Sequence, residues 1–162
     1  MRIAKIEATW LRAPIPPERQ HVSDFGRMSS FDTTLVRVET DDGLVGHGEA
    51  KAAVGSQANC AALVALIERE LAPMLIGEDA TAISRIWDIC YNGSRAHFAI
   101  DRGHGFPVMG RRGLTVAALG GVDIALWDIA GQALGVPVHR LLGGRRKDRY
   151  PAYASGGWKP TA

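Results

Sequence analysis

The chain has 162 residues, 46% of them hydrophobic and 22% charged, enough for one domain with a real core and too apolar for disorder. A net charge of +2 supplies no one-sided basic field of the kind that nucleic acid or an anionic membrane requires, so neither is expected as a partner. Met1-Arg2-Ile3-Ala4-Lys5 leads into no long apolar run, and neither a signal peptide nor a membrane span is expected. Cys60 and Cys90 each sit within a helical pattern and read as buried thiols of a reducing compartment, with a cytoplasmic location as the default.

The first quarter reads as strands. Ile6, Ala8 and Trp10 alternate with polar neighbours, and residues 34–40 alternate again with β-branched residues on one face. Asp41-Asp42-Gly43 predicts a tight hairpin turn with two central positions at positive φ, so that residues 44–49 pair back as the third strand of an antiparallel meander. The connector from Pro14 to Phe31, with Pro16 and Pro17 near its start, is long for a plain link and is a candidate functional loop.

From Ser56 the period changes. Ser56 is a candidate N-cap for a helix carrying Cys60, Leu63, Val64, Ile67 and Leu71, with Pro73 and Gly77 ending it. A second helix begins near Ala80 and places Ile83, Ile86, Trp87 and Cys90 on one side until Asn92-Gly93. Ser94 to Pro107, rich in Gly, His, Arg and aromatics, reads as a loop suited to an interface.

The helix over residues 117–134 is the most distinctive element. Ala117, Gly120, Gly121, Ala125 and Ala130 recur at spacings that let another backbone approach, while Leu119, Val122, Leu126, Ile129 and Ala133 form an apolar stripe. Gly135 at a left-handed C′ position, Val136 and Pro137 end it, and a short helix follows around Val138 to Leu142. After the basic run Arg145 to Arg149, residues 150–155 read as a short buried strand that has no later partner.

Three motifs in this order carry a family likeness: Val38-Glu39-Thr40-Asp41-Asp42-Gly43-Leu44-Val45-Gly46-His47-Gly48-Glu49, then Gly121-Val122-Asp123-Ile124-Ala125-Leu126-Trp127-Asp128, then Leu134-Gly135-Val136-Pro137 with Leu141-Leu142-Gly143-Gly144. The chain resembles the N-terminal capping domain of the enolase superfamily, in its mandelate racemase and muconate-lactonising branch. His47 departs from the pattern, since the family commonly has Trp between the two glycines. The resemblance implies an α+β cap over residues 1–144, a three-stranded meander followed by a helical bundle. It makes residues 145–162 a linker and the first strand of a (β/α) barrel that continues beyond this chain.

The same resemblance implies a function for the cap. Family enzymes abstract the proton α to a carboxylate, leading to dehydration, racemisation or cycloisomerisation of acid sugars and related acids. The Mg²⁺, the acid/base residues and the carboxylates that hold the metal all belong to the barrel, so no catalytic or metal residue is assigned in this chain. The cap closes over the barrel mouth with the 14–31 loop and the loop at 49–55. Within these, His21, Phe25, Arg27, Met28, Lys51 and Val54 are the candidate substrate-contacting side chains, with Arg27 and Lys51 suited to an anionic group. The barrel and a further copy in a homo-oligomer are the expected protein partners, and a non-catalytic assembly or binding module is the competing reading.

Other features have plain structural explanations. Trp87 and Trp127 read as core residues. Asp123 and Asp128, five apart, fall off one helix face and read as caps or surface pairs. His97 and His104 lack a ligand motif, and Gly46-His47-Gly48 is no phosphate loop, as no Lys-Ser/Thr follows.

Overall fold

The computed structural model describes residues 1–23, 26–51, 57–93, 102–103 and 112–154. The strands are β1 (Ile3–Pro14), β2 (Val22–Ser23), β3 (Gly26–Arg27), β4 (Ser30–Thr40) and β5 (Val45–Ala50). The expected antiparallel meander is present as the sheet β1-β4-β5, with Ile6 opposite Val38, Ala8 opposite Val36, and Val38 in turn opposite Gly46. These residues lie on one face, where Ile6, Ala8, Val36 and Val38 are buried.

The turn from β4 to β5 differs from the sequence expectation. Only Gly43 has positive φ, at 88°, and Asp42 does not. Thr40 N–H donates to the Leu44 carbonyl at 2.9 Å, so the loop is Asp41-Asp42-Gly43, three residues rather than two. A single glycine makes one left-handed position cheap, and the chain spends an extra residue to avoid a second. The Thr40 hydroxyl, which accepts Leu44 N–H at 3.0 Å, holds the loop from inside.

The first helical segment runs as α1 (Gln57–Leu66), a π turn (Ile67–Leu71) and α2 (Ala72–Leu75). Cys60, Leu63, Ile67 and Leu71 are buried as the period predicts; Ser56, its candidate N-cap, lies outside the described residues. Pro73 sits inside the helix rather than ending it. A proline lacks the N–H and crowds the carbonyl four residues back, and the widened turn just before it, closed by Ala72 N–H to the Ile67 carbonyl, relieves that conflict. Gly77, at φ 89°, ends the segment as expected, and its N–H donates to the Ile3 carbonyl at 2.8 Å.

In α3 (Ile83–Asn92) the buried stripe is Ile83, Ile86, Ile89 and Cys90. Trp87 is not a core residue. It lies on the flank of that stripe, 38% exposed, and stacks on Tyr91 with ring centroids 6.3 Å apart. Trp127 is partly buried against the core, and both cysteines are buried free thiols.

The long helix α4 (Leu114–Leu134) lies directly on β5, and its small residues explain how. An added Cβ at Gly48 would fall 2.0 Å from the Gly121 carbonyl oxygen, and one at Gly46 would fall 2.1 Å from the Ala125 carbonyl oxygen. One at Gly121 would meet the Ala50 Cβ and Val36 Cγ2 at 2.8 Å. The glycines flanking His47 therefore serve close strand-helix contact. Gly120, expected to take part, has nothing within 4 Å of its Cβ position, because it lies off the strand-facing side. Ala118, Leu119, Val122, Ala125, Leu126 and Ile129 are buried beneath the sheet. Residues 114–134 are long and apolar enough to cross a membrane by length and composition, yet this stripe is seated on the protein's own sheet.

Polar groups of α4 also close the free edge of β5. The His47 N–H donates to Asp128 Oδ2 at 2.9 Å, and Gln132 Nε2 donates to the Val45 carbonyl at 2.8 Å. At the end of α4, Gly135 (φ 65°) donates to the Gln132 carbonyl at 3.2 Å and Val136 to the Gly131 carbonyl at 3.0 Å, the paired bonds of a Schellman cap. Short helix α5 (Val138–Leu141) follows as expected. The buried strand expected from residue 150 does not form over residues 150–154, where Tyr150 is 66% and Tyr153 91% exposed. A strand needs a partner, and among the described residues none pairs with residues 150–154.

Candidate functional site

Strand β5 stops at Ala50, opposite Thr34, whereas β1 and β4 continue past it. Arg12 stands opposite Asp32, Ala13 opposite Phe31 and Pro14 opposite Ser30, so the connector expected as a loop begins as a two-stranded arm. Ile15 N–H donates to the Ser29 carbonyl at 2.9 Å, and a single 3₁₀ turn (Pro17–Arg19) follows. Gln20 Nε2 donates back to the Ile15 carbonyl at 2.8 Å. Strands β2 and β3 then pair through Val22 with Arg27 and Ser23 with Gly26, and Met28 N–H donates to the His21 carbonyl at 2.9 Å. The prolines fix the bend, and Gly26 takes the positive φ the tip requires.

The arm is tied at its root by one carboxylate. Asp32 Oδ1 accepts the Trp10 indole N–H at 2.7 Å, Asp32 Oδ2 accepts the Ser30 hydroxyl, and Arg12 Nε lies 3.9 Å from Oδ1. The Asp32 side chain is 9% exposed. The Ser30 hydroxyl, with the Trp10 indole and the Arg12 charge, holds its carboxyl below the usual range against the opposing effect of burial.

Beside the arm, where β5 ends, is a cleft of about 330 Å³. Leu11, Arg12, Ala13, Phe31, Asp32, Thr33 and Lys51 line it. Strand alternation puts Leu11, Ala13, Phe31 and Thr33 on one face, and the end of β5 adds Lys51 beside them. The result is an apolar floor with the charged groups of Arg12, Asp32 and Lys51 around it.

Of the candidate substrate contacts, His21 and Met28 are brought together across the β2-β3 ribbon, Arg27 is exposed on β3, and Lys51 lines the cleft. None of His21, Arg27 and Met28 lines that cleft. Phe25 and Val54 lie outside the described residues. Leu11, Arg12, Ala13, Phe31, Asp32 and Thr33 are the cleft residues that sequence reasoning missed. Their alternation was visible, but the register that joins them across two strands was not.

Asp123 and Asp128, expected as caps or surface pairs, are engaged differently because the helix that carries them packs on the sheet. Asp128 binds the β5 edge, while burial pushes the Asp123 carboxyl up against the opposing effect of a hydrogen bond from the Trp127 indole. Among the described residues no three of His, Cys, Asp or Glu converge to hold a metal ion; the Mg²⁺ that the resemblance implies was expected in the barrel, outside this chain. A larger cleft of about 680 Å³ lies at the other end of β1, between the start of α3, the second half of α4 and α5. Its walls are apolar apart from Thr81, Ser84 and Arg85, and the Arg85 guanidinium is engaged by Glu78 at 3.4 Å.

Residues 5–143 match the model of the mandelate racemase / muconate lactonizing enzyme N-terminal domain. The chain belongs to that family. It is similar to the D-galactonate dehydratase of Verminephrobacter eiseniae, 42% identical over 128 residues that cover 78% of this chain and 29% of the relative. It is 39% identical to the D-galactarolactone cycloisomerase of Agrobacterium fabrum, over 77% of this chain and 28% of that one. A solved member of the enolase superfamily from Polaromonas sp. JS666 superposes with a TM-score of 0.74 at 35% identity, covering 99% of this chain and 38% of that structure. The chain therefore spans less than a third of the length of these curated relatives. Family membership accounts for the fold as a whole, an α+β unit in which a three-stranded antiparallel sheet is backed by helices.

Proposed function

We propose that this chain is the substrate-selecting cap of an enzyme that abstracts the α-proton of an acid sugar, with the chemistry housed in a barrel that it covers. The observation that carries the reading is the convergence of the arm and Lys51 at one end of the sheet, in a chain of this family. Relatives that are a dehydratase and a cycloisomerase of acid sugars support the substrate class. Proton abstraction next to a carboxylate needs the developing enolate charge stabilised and water kept out. Mg²⁺ held by the barrel supplies the first, and the arm supplies the second. Within the cap, Lys51 and Arg27 meet the anionic end of the substrate, and Phe31 and Leu11 pack against its carbon skeleton. A homo-oligomer of such enzymes is the expected assembly.

Turnover assays test the division of labour. The 162-residue chain with Mg²⁺ and a panel of acid sugars is expected to give no product, whereas the same chain carried on a barrel-bearing polypeptide is expected to turn over at least one of them. Dehydration or isomerisation by the 162-residue chain alone overturns the proposal.

A further inference from the structure

Beyond Thr34 the arm has no core of its own. Residues 9–14 of β1 are exposed, as is Phe31 across from them, and β5 no longer flanks the pair. A two-stranded ribbon in water is marginal, and its direction is weakly specified unless something at its base fixes it. At that base, donors from both strands converge on one side chain: Trp10 from β1 and Ser30 from β4 occupy the two oxygens of Asp32, with the Arg12 guanidinium beside them. Register puts Trp10, Arg12, Ser30 and Asp32 on the same face of the ribbon. Beyond this point Ile15 N–H to the Ser29 carbonyl and Met28 N–H to the His21 carbonyl bridge the arm, and β2 pairs with β3.

We propose that Asp32 is the positioning residue of the arm: by clasping Trp10 and Ser30 it sets the direction in which the arm projects beyond Pro14. Its side chain is 9% exposed, while the Trp10 and Arg12 side chains that meet it lie at the surface. The lowered proton affinity of the carboxyl keeps it charged, which strengthens both bonds. The consequence for substrate rests on the proposed function above; the clasp itself does not.

Amide hydrogen exchange on the 162-residue chain tests the clasp directly. In Asp32→Ala, exchange at Ile15 and Met28, whose N–H groups bridge the arm, is expected to quicken about tenfold, while Ala125 and Leu126 in α4 keep their wild-type rates. Trp10→Phe, which keeps an aromatic ring, though a smaller one, and removes the indole donor, is expected to quicken the same two amides about threefold. Unchanged exchange at Ile15 and Met28 in both variants overturns the proposal, as does acceleration spread equally over the arm and α4. In a barrel-bearing enzyme, Asp32→Ala is expected to raise KM about tenfold with kcat within twofold, the split of lost uniform binding. An exchange effect without a KM effect would leave the clasp standing and refute the substrate-contacting role of the arm.

Discussion

Gly48→Ala is expected to destabilise the chain by about 3 kcal/mol or more, at the top of the range for overpacking. The new methyl would sit 2.0 Å from the Gly121 carbonyl oxygen and 3.0 Å from the Ala125 nitrogen. Both are backbone atoms of a helix and cannot rotate away. The helix must rise from the strand by more than an ångström, and in rising it loosens Asp128 from the His47 N–H and Gln132 from the Val45 carbonyl. Gly46→Ala should behave alike, its methyl 2.1 Å from the Ala125 carbonyl oxygen and 2.7 Å from Ile129 Cγ1. Gly120→Ala is the control: it adds a methyl to open space inside the same helix and is expected to be neutral or to stabilise by up to about 1 kcal/mol. Denaturant midpoints of the three variants check the contrast, and equal losses in all three would contradict the close strand-helix contact.

Leu126→Ala is the second large effect, with an expected cost of about 2–5 kcal/mol. Leu126 is fully buried in the cluster that joins α4 to the sheet and to the helices around it. Removing its branched end strips apolar surface and leaves a cavity that a helix pinned by Gly46 and Gly48 cannot close. Trp87→Ala removes a larger side chain but one that is 38% exposed, and should cost less than Leu126→Ala. Urea unfolding monitored by circular dichroism tests the order, and a larger loss for Trp87→Ala would contradict the placement of the core.

Features written in neighbouring residues were legible in the sequence, while features made between distant ones were legible only in part. The cap at Gly135 follows from Leu134-Gly135-Val136-Pro137 alone, and its two hydrogen bonds form as those residues require. The meander was equally plain from alternation. The role of Gly46 and Gly48 was not, because it depends on a helix some 75 residues later; their pattern was visible, but not the surface they fit. Trp87 matched the helical period and still missed the core, since a stripe centred near Ile86 and Cys90 leaves the next position at its edge. The π turn before Pro73 gave no sequence signal beyond the proline itself.

The site divides in the same way. Lys51 was identified from its place after β5, and it lines the cleft. Its neighbours Leu11 and Phe31 come from the far ends of a hairpin, and only the register from Pro14 opposite Ser30 back to Trp10 opposite Thr34 brings them together. The strand expected over residues 150–155 was read from composition, which cannot report that no described strand pairs with residues 150–154.

The central claim is that this cap selects the substrate through Lys51 and the arm, and kcat/KM over a panel of acid sugars tests it most directly. In a barrel-bearing enzyme, Lys51→Ala and Arg27→Ala are expected to lower kcat/KM for the preferred substrate by about 10- to 100-fold, the worth of a charged hydrogen bond, and to change the ranking of the panel with no change in melting temperature. Values within twofold of wild type for every substrate in both variants would contradict it.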